Sequence, residues 1–254
     1  MEAAARRVAC ITGGTSGIGR ALSLRYLDEG WKVLAIGKGE THALELEKTA
    51  SGSGELTVHV ADLTEFAKCS VIAKEIEQTD ARLDLLVNAA GTIGSGGVQE
   101  ETPARFEDVI KGNLWSAFNM TKASVELLTK TSNACVINIS SVCSLRPCAS
   151  VAYSVAKAGM DMFTKTIARE LAANGIRVNS VNPSVVKSNL QKSAGLFDDD
   201  VMYEKWVNDM TRTHPLGRVG LPEDIVEAVY FLASEKATWI TGSIFSVDGG
   251  RSVA

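Results

Sequence analysis

The chain of 254 residues is 45% hydrophobic and 22% charged, with 22 glycines against five prolines. That balance excludes low-hydrophobicity disorder and a collagen-type repeat, and the length suits one large domain whose core needs neither metal nor disulfide. The 26 basic and 30 acidic side chains leave a formal charge of −4, and the basic ones are scattered apart from Arg6-Arg7, so a nucleic-acid partner is disfavoured.

In chain order, the first apolar run is 7–12 (RVACIT), followed by a glycine loop and a helix-period segment to about Glu29. Further runs fall at 32–36 (KVLAI), 55–60 (ELTVHV), 83–88 (LDLLVN), 134–140 (ACVINIS), 176–181 (IRVNSV) and 243–247 (SIFSV). Helical patterns such as 66–77 and 153–173 lie between them. Several runs are apolar throughout, which suits strands covered on both faces. Repeated strand–helix alternation implies right-handed crossovers: an α/β, doubly wound parallel sheet of about seven strands with helices on both faces. No linker or repeat divides the chain, so 1–254 reads as a single domain. The least regular stretch, 184–221, holds Asp198-Asp199-Asp200, Trp206, Met210 and His214-Pro215. Its length favours a substrate lid over a solvated insertion. Trp206 and Met210 either line a pocket there or pack the lid onto the core, and packing is preferred.

No uninterrupted apolar run reaches the roughly 18 residues of a membrane span, so no membrane partner is expected. The opening MEAAARR has no apolar stretch of a secretory signal, and the closing RSVA no retention or peroxisomal signal, which makes a cytoplasmic protein the expectation. Cys10, Cys69, Cys135, Cys143 and Cys148 form an odd set without Cys-x-x-Cys and read as reduced thiols. Only Cys143 and Cys148 fall in a loop where exposure permits oxidation. His42, His59 and His214 show no metal-ligand spacing, so no metal is expected.

Thr12-Gly13-Gly14-Thr15-Ser16-Gly17-Ile18-Gly19 separates the first strand from the first helix. Glycines in this place permit a tight turn, bring backbone close to a pyrophosphate and let the helix pack on the strand. The helix N-terminus then offers free N–H groups to phosphate. A triphosphatase loop would close on Gly-Lys-Ser/Thr, whereas Gly19 is followed by Arg20-Ala21. At the end of the second strand, an acidic residue would take the adenine-side ribose hydroxyls and select NAD. Gly37 offers no such group, and Lys38 offers a positive charge to a 2′-phosphate, so NADP(H) is favoured over NAD(H). The plainer reading of Lys38 is a solvated loop residue.

Tyr153-Ser154-Val155-Ala156-Lys157 opens an amphipathic segment. Residues four apart share a helical face, so the phenol and the ammonium point the same way. A nearby cation lowers a phenol's pKa from its ordinary value of about 10, making it a usable acid or base nearer neutral pH. Upstream, the strand at 136–139 runs into Ser140-Ser141, at the sheet edge where doubly wound proteins bind ligands. Asn113 and the stretch Asn88-Ala89-Ala90-Gly91 complete the set.

In this order, and over nearly the whole chain, the motifs resemble the small single-domain branch of the short-chain dehydrogenase/reductase family, with its Rossmann-type fold. The resemblance implies that Gly13, Thr15, Ser16, Gly17, Ile18 and Gly19 form the cofactor turn. It implies that Asp62, with Leu63, meets the adenine, and that Asn88, Ala89 and Gly91 lie beside the cofactor. Asn113, Ser141, Tyr153 and Lys157 match the catalytic tetrad; Tyr153 and Lys157 would also touch the cofactor, with Pro183, Val186 and Ser188. Segments 239–242 (WITG) and 247–250 (VDGG) resemble the family's C-terminal end. Ser141 stands 12 residues before Tyr153 and Ser140 13. Ser141 is preferred because the Ser-Ser-Val pattern uses its second serine, with Ser140 the alternative. Ser184 follows Asn182-Pro183 where the family has Gly, and would be strained if the position needs a positive φ.

The implied reaction is hydride transfer between a nicotinamide and a carbonyl. Tyr153 passes the proton, Lys157 lowers its pKa, Ser141 steadies the developing alkoxide and Asn113 organises a water. A small-molecule carbonyl or alcohol substrate is implied, as is a homotetramer built on the helices after Asn113 and Tyr153 and on the C-terminal region. One rival is an epimerase or dehydratase on a related scaffold, though these are usually longer. The other is a non-catalytic NADP-binding sensor, which an altered Tyr153 or Lys157 would favour.

Overall fold

Alternate side chains of the central strands point to opposite faces of one sheet, and helices cover both, which is why runs such as VACIT are apolar throughout. The computed structural model describes residues 6–188, 190–197 and 199–254; residues 1–5 of the opening segment and Asp198 of the acidic triplet lie outside the described residues. Among the described residues the sheet has seven strands, all parallel: β1 (Val8–Thr12), β2 (Lys32–Gly37), β3 (Glu55–Val60), β4 (Leu85–Asn88), β5 (Cys135–Ile139), β6 (Arg177–Pro183) and β7 (Ile244–Val247). Every expected run forms a strand, with ends within two residues of the sequence reading. The helices are α1 (Gly17–Asp28), α2 (Glu40–Thr49), α3 (Phe66–Thr79), α4 (Pro103–Ile110), α5 (Ser116–Thr129), α6 (Val151–Leu171), α7 (Leu190–Ser193), α8 (Asp200–Thr211) and α9 (Pro222–Ala233).

On one face Val8, Cys10, Leu86 and Val136 belong to a buried cluster with Ile76, Met120 and Leu128 of α3 and α5. On the other, Ala9, Ile11, Val87 and Ile137 meet Leu22, Tyr26 and Val229 of α1 and α9. Each large side chain so buried contributes about 1.5–3 kcal/mol. The edge strands depart from the both-faces expectation: Val60 of β3 and Phe245 of β7 are exposed. Buried Arg177, opening β6, donates to the carbonyls of Leu232 and Ser234 at the end of α9, where a cation suits the helix dipole.

The strand order β3-β2-β1-β4-β5-β6-β7 reverses direction between β1 and β4. Crossovers leave those two strands in opposite senses and open a crevice at their carboxyl edge. Thr102 caps α4 by accepting from the Arg105 N–H, with Pro103 in the first turn. A π-helical turn, Lys111–Trp115, joins α4 to α5. Cys10, Cys69 and Cys135 are free and buried, but Cys143 and Cys148 form a disulfide, which corrects the reduced-thiol reading for that pair. Their Cα atoms lie 5.4 Å apart, within bridging reach. Among the described residues no helix is long and apolar enough to cross a membrane.

Candidate active site

The turn after β1 accepts no side chain at Gly13, Gly14 or Gly19. Gly13 has φ +65°, and a Cβ there would lie 2.8 Å from the Ala89 carbonyl oxygen. A Cβ at Gly19 would strike the Gly13 carbonyl, so α1 packs directly on the turn. Ser16 leads into α1 without a side-chain cap, leaving the first amides of the helix to an anion. The buried Thr12 hydroxyl accepts from the Ala89 and Ala90 N–H groups, tying the end of β4 to this turn. Uncapped amides above a glycine cradle fit a dinucleotide pyrophosphate.

At the far end of that cradle, a Cβ at Gly37 would strike the Thr15 hydroxyl, so a carboxylate at this position is excluded by space. Lys38 is exposed and pairs with Asp62 at 2.7 Å, rather than standing solvated and alone. The Lys38 hydrogen bond, aided by those from Thr64 and opposed by burial, holds the Asp62 carboxyl down at about 2. His42, which the sequence reading passed over, also lines this end.

A continuous cleft of about 1110 Å³ joins these residues to Tyr153 and Lys157. Every candidate residue lines it except Asn88. The Asn88 carboxamide is buried behind the wall instead, donating to Thr121 on α5 and Asn138 on β5. Asn138 in turn donates to Thr164 on α6. The Asn88 side chain is therefore a tie between sheet and helices rather than part of the cleft lining.

Ser150 caps α6 by accepting from the Tyr153 N–H, which sets Tyr153 and Lys157 on the first turns facing the cleft. The Lys157 ammonium lies 5.4 Å from the Tyr153 ring centre and donates to the Ile139 carbonyl at 2.8 Å. Ser140 turns its hydroxyl onto the Lys157 carbonyl, whereas Ser141 presents its hydroxyl to Tyr153. Burial pushes the phenol up to about 12, with Ser141 pulling the other way. Burial also pulls Lys157 down to about 8, against the opposing charge of Asp161 one turn on. The expected lowering of the Tyr153 pKa by Lys157 is not found: burial dominates, and the opposing pull comes from Ser141.

Asn113 sits in the π turn, a distortion often found where a side chain is re-aimed into a site. Its Nδ2 donates to the Thr92 and Val109 carbonyls at 2.7 and 2.8 Å, and its buried Oδ1 has no partner among the described residues. A Cβ at Gly91 would lie 2.5 Å from that oxygen and 3.8 Å from Lys157 Nζ, so amide and ammonium share one corner. A buried acceptor beside a cation is suited to hold a water.

Pro183 ends β6, Val186 and Ser188 continue along the same wall, and Ser188 abuts Gly17. Ser184 is not among the residues with positive φ, so the expected strain is absent; its hydroxyl bonds His214 Nε2 at 2.9 Å. Trp206 and Met210 both line the cleft and pack against Tyr203 and Val207, so the two readings offered for them hold together. Arg146 and Arg251 also line the cleft and were missed. Arg146 follows Ser141 in the same loop and was within reach of the sequence; Arg251 arrives only through the fold.

The family model described as enoyl-(acyl carrier protein) reductase matches residues 13–252. The 3-oxoacyl-(acyl-carrier-protein) reductase of Thermotoga maritima is 32% identical over 247 residues, covering 96% of this chain and 97% of its own. The 3alpha-hydroxysteroid dehydrogenase of Mediterraneibacter gnavus is 32% identical over 248 residues, covering 96% of each. The crystal structure of levodione reductase superposes with a TM-score of 0.91 at 26% identity, covering 98% of both chains.

Proposed function

The chain belongs to the short-chain dehydrogenase/reductase family, and on that premise we propose that it reduces a small carbonyl compound to an alcohol with NADPH. The observation supporting this most directly is the meeting of the glycine turn with Tyr153, Lys157 and Ser141 in one cleft. When bound, the cofactor supplies a hydride to the carbonyl carbon. Tyr153, protonated at neutral pH, gives its phenolic proton to the carbonyl oxygen. Ser141 donates a hydrogen bond to that oxygen as negative charge develops. Lys157 stabilises the phenolate left behind, and a water on Asn113 Oδ1 passes a proton back through Lys157.

Asp62 would hold the adenine, and Lys38, whose exposed ion pair with Asp62 is worth about 0–1 kcal/mol, would be free to pair with a 2′-phosphate. Segment 184–221 acts as the lid over the substrate, and the exposed apolar faces of α5, α6 and the C-terminal region carry a homotetramer.

Tyr153→Phe tests the reading. NADPH oxidation, followed by absorbance over a panel of ketones and aldehydes, should fall by about 100-fold or more. Cofactor affinity, measured by nicotinamide fluorescence, should persist. Undiminished turnover removes Tyr153 from the reaction, and tight cofactor binding without turnover by the native protein favours the sensor. A higher kcat/KM with NADH than with NADPH overturns the cofactor choice.

A further inference from the structure

The cleft's charge runs against that of the chain. The protein carries −4 overall, yet Lys38, Lys111, Arg146, Lys157 and Arg251 line the cleft against the two carboxylates Asp62 and Asp108. Asp62 is taken by Lys38, and Asp108 lies close enough to Lys111 to act on it electrostatically. Lys157, Arg146 and Arg251 are the cations left over, and Lys157 belongs to the catalytic group with Tyr153. Among the described residues neither arginine forms an ion pair, each donating instead to a backbone carbonyl, although each is half-buried and a guanidinium carries five N–H donors.

Each of these side chains is anchored on a backbone carbonyl, and Arg146 on that of Arg251. Arg146 Nη1 donates to the Arg251 carbonyl at 2.6 Å, and Arg251 Nη1 to the Thr213 carbonyl at 3.2 Å. Arg251 is carried by a tight turn after β7, where Asp248 accepts from the Gly250 and Ser252 N–H groups. Arg146 lies inside the ring closed by Cys143 and Cys148, five residues beyond Ser141. Burial and the charge of Arg146 both pull the Arg251 pKa down, the direction expected of two like charges kept side by side without a counter-ion. Two anchored guanidinium groups with spare donors suit an oxyanion, which they bind with planar, charge-assisted hydrogen bonds.

We propose that Arg146 and Arg251 form an oxyanion subsite, and that the natural substrate is a carbonyl compound bearing a carboxylate or phosphate group. This names the substrate class of the reductase site and rests on that reading. The apolar Phe197, Trp206 and Met210 line the same cleft and cover the uncharged part of such a molecule.

The test compares matched pairs: levulinate with methyl levulinate, and dihydroxyacetone phosphate with dihydroxyacetone. Binding to the enzyme–NADPH complex is read from nicotinamide fluorescence, and turnover from absorbance. At least one anionic member should bind about tenfold or more tightly than its neutral partner. Which pair shows the larger ratio tells carboxylate from phosphate. In the Arg146→Gln, Arg251→Gln double variant that ratio should fall to about one. Should the variant not fold, added sodium chloride must shrink the same ratio in the native enzyme. Equal binding of anionic and neutral partners, no anionic binding, a preference that survives the double substitution, or one that salt leaves unmoved overturns the subsite. An anionic binding preference without turnover of any compound refutes the reductase reading and leaves the subsite standing.

Discussion

A lysine ammonium withdrawn from water costs folding free energy unless its hydrogen bonds make good the loss, and buried Lys157 has one such bond, to Ile139. Its pKa of about 8 lies below the unfolded value of 10.5, so the unfolded chain binds more protons between those two pH values. Stability attributable to Lys157 therefore rises as pH climbs from about 8 to 10.5, and the penalty is fully present below 8. Lys157→Met should abolish turnover yet raise Tm at pH 7, with the gain narrowing towards pH 10. A Tm gain that does not vary with pH, measured by calorimetry in matched buffers, would contradict this assignment. Tyr153 and Lys157 were legible as types at a spacing and the Ser140-Ser141 pair as hydroxyls at a strand end, while Asn113 and the choice of Ser141 rested on the family resemblance. What the sequence withheld was environment: the raised phenol, the Lys38–Asp62 pair, Asn88 turned inward and the ordinary backbone of Ser184. Each depends on neighbours more than 20 residues away in the chain, which periodicity does not register.

Among the elements, the loop from β5 to α6 stands apart because it carries Ser141 at one end, Arg146 at its centre and the cap of Tyr153 at the other. The disulfide closes a short ring there, and chain-entropy reasoning assigns it about 2 kcal/mol. Cys143→Ser with Cys148→Ser should therefore lower the urea midpoint of the non-reduced protein by the equivalent of that amount or less. A midpoint equal to the native one would show that the ring leaves the unfolded chain unrestrained. The strands themselves were readable almost to the residue, because fully buried parallel strands are continuous apolar words between polar helices. The disulfide was not readable, since Cys143 and Cys148 match no metal or redox spacing and pair only through the turn between them. The π turn was hidden too: KGNLW has no residue that distinguishes a widened helical turn from an ordinary one.

For the whole molecule, several large apolar side chains remain exposed. Trp115, Phe118 and Met162 lie exposed on α5, the turn before it and α6, with Trp115, Phe118 and Phe163 stacked in a row. Phe231, Trp239 and Phe245, in or near the C-terminal region, are exposed as well, Trp239 at 99%. Exposed aromatic groups of this kind mark interfaces. Phe118→Glu with Met162→Glu should convert a four-chain assembly into a smaller one by light scattering; an unaltered mass removes this face from the interface. The polar line from Thr121 through Asn88 and Asn138 to Thr164 has a different consequence for the molecule as a whole. Asn88 stands opposite Asn138 in register. A slip of β5 by two residues would return every apolar side chain to its own face, so burial alone barely penalises it. Such a misthreaded sheet would strand two carboxamides among apolar groups at about 1–3 kcal/mol each. The asparagines thus act as an error check on assembly, making the wrong alignment costly in a sheet whose greasy faces would otherwise tolerate it.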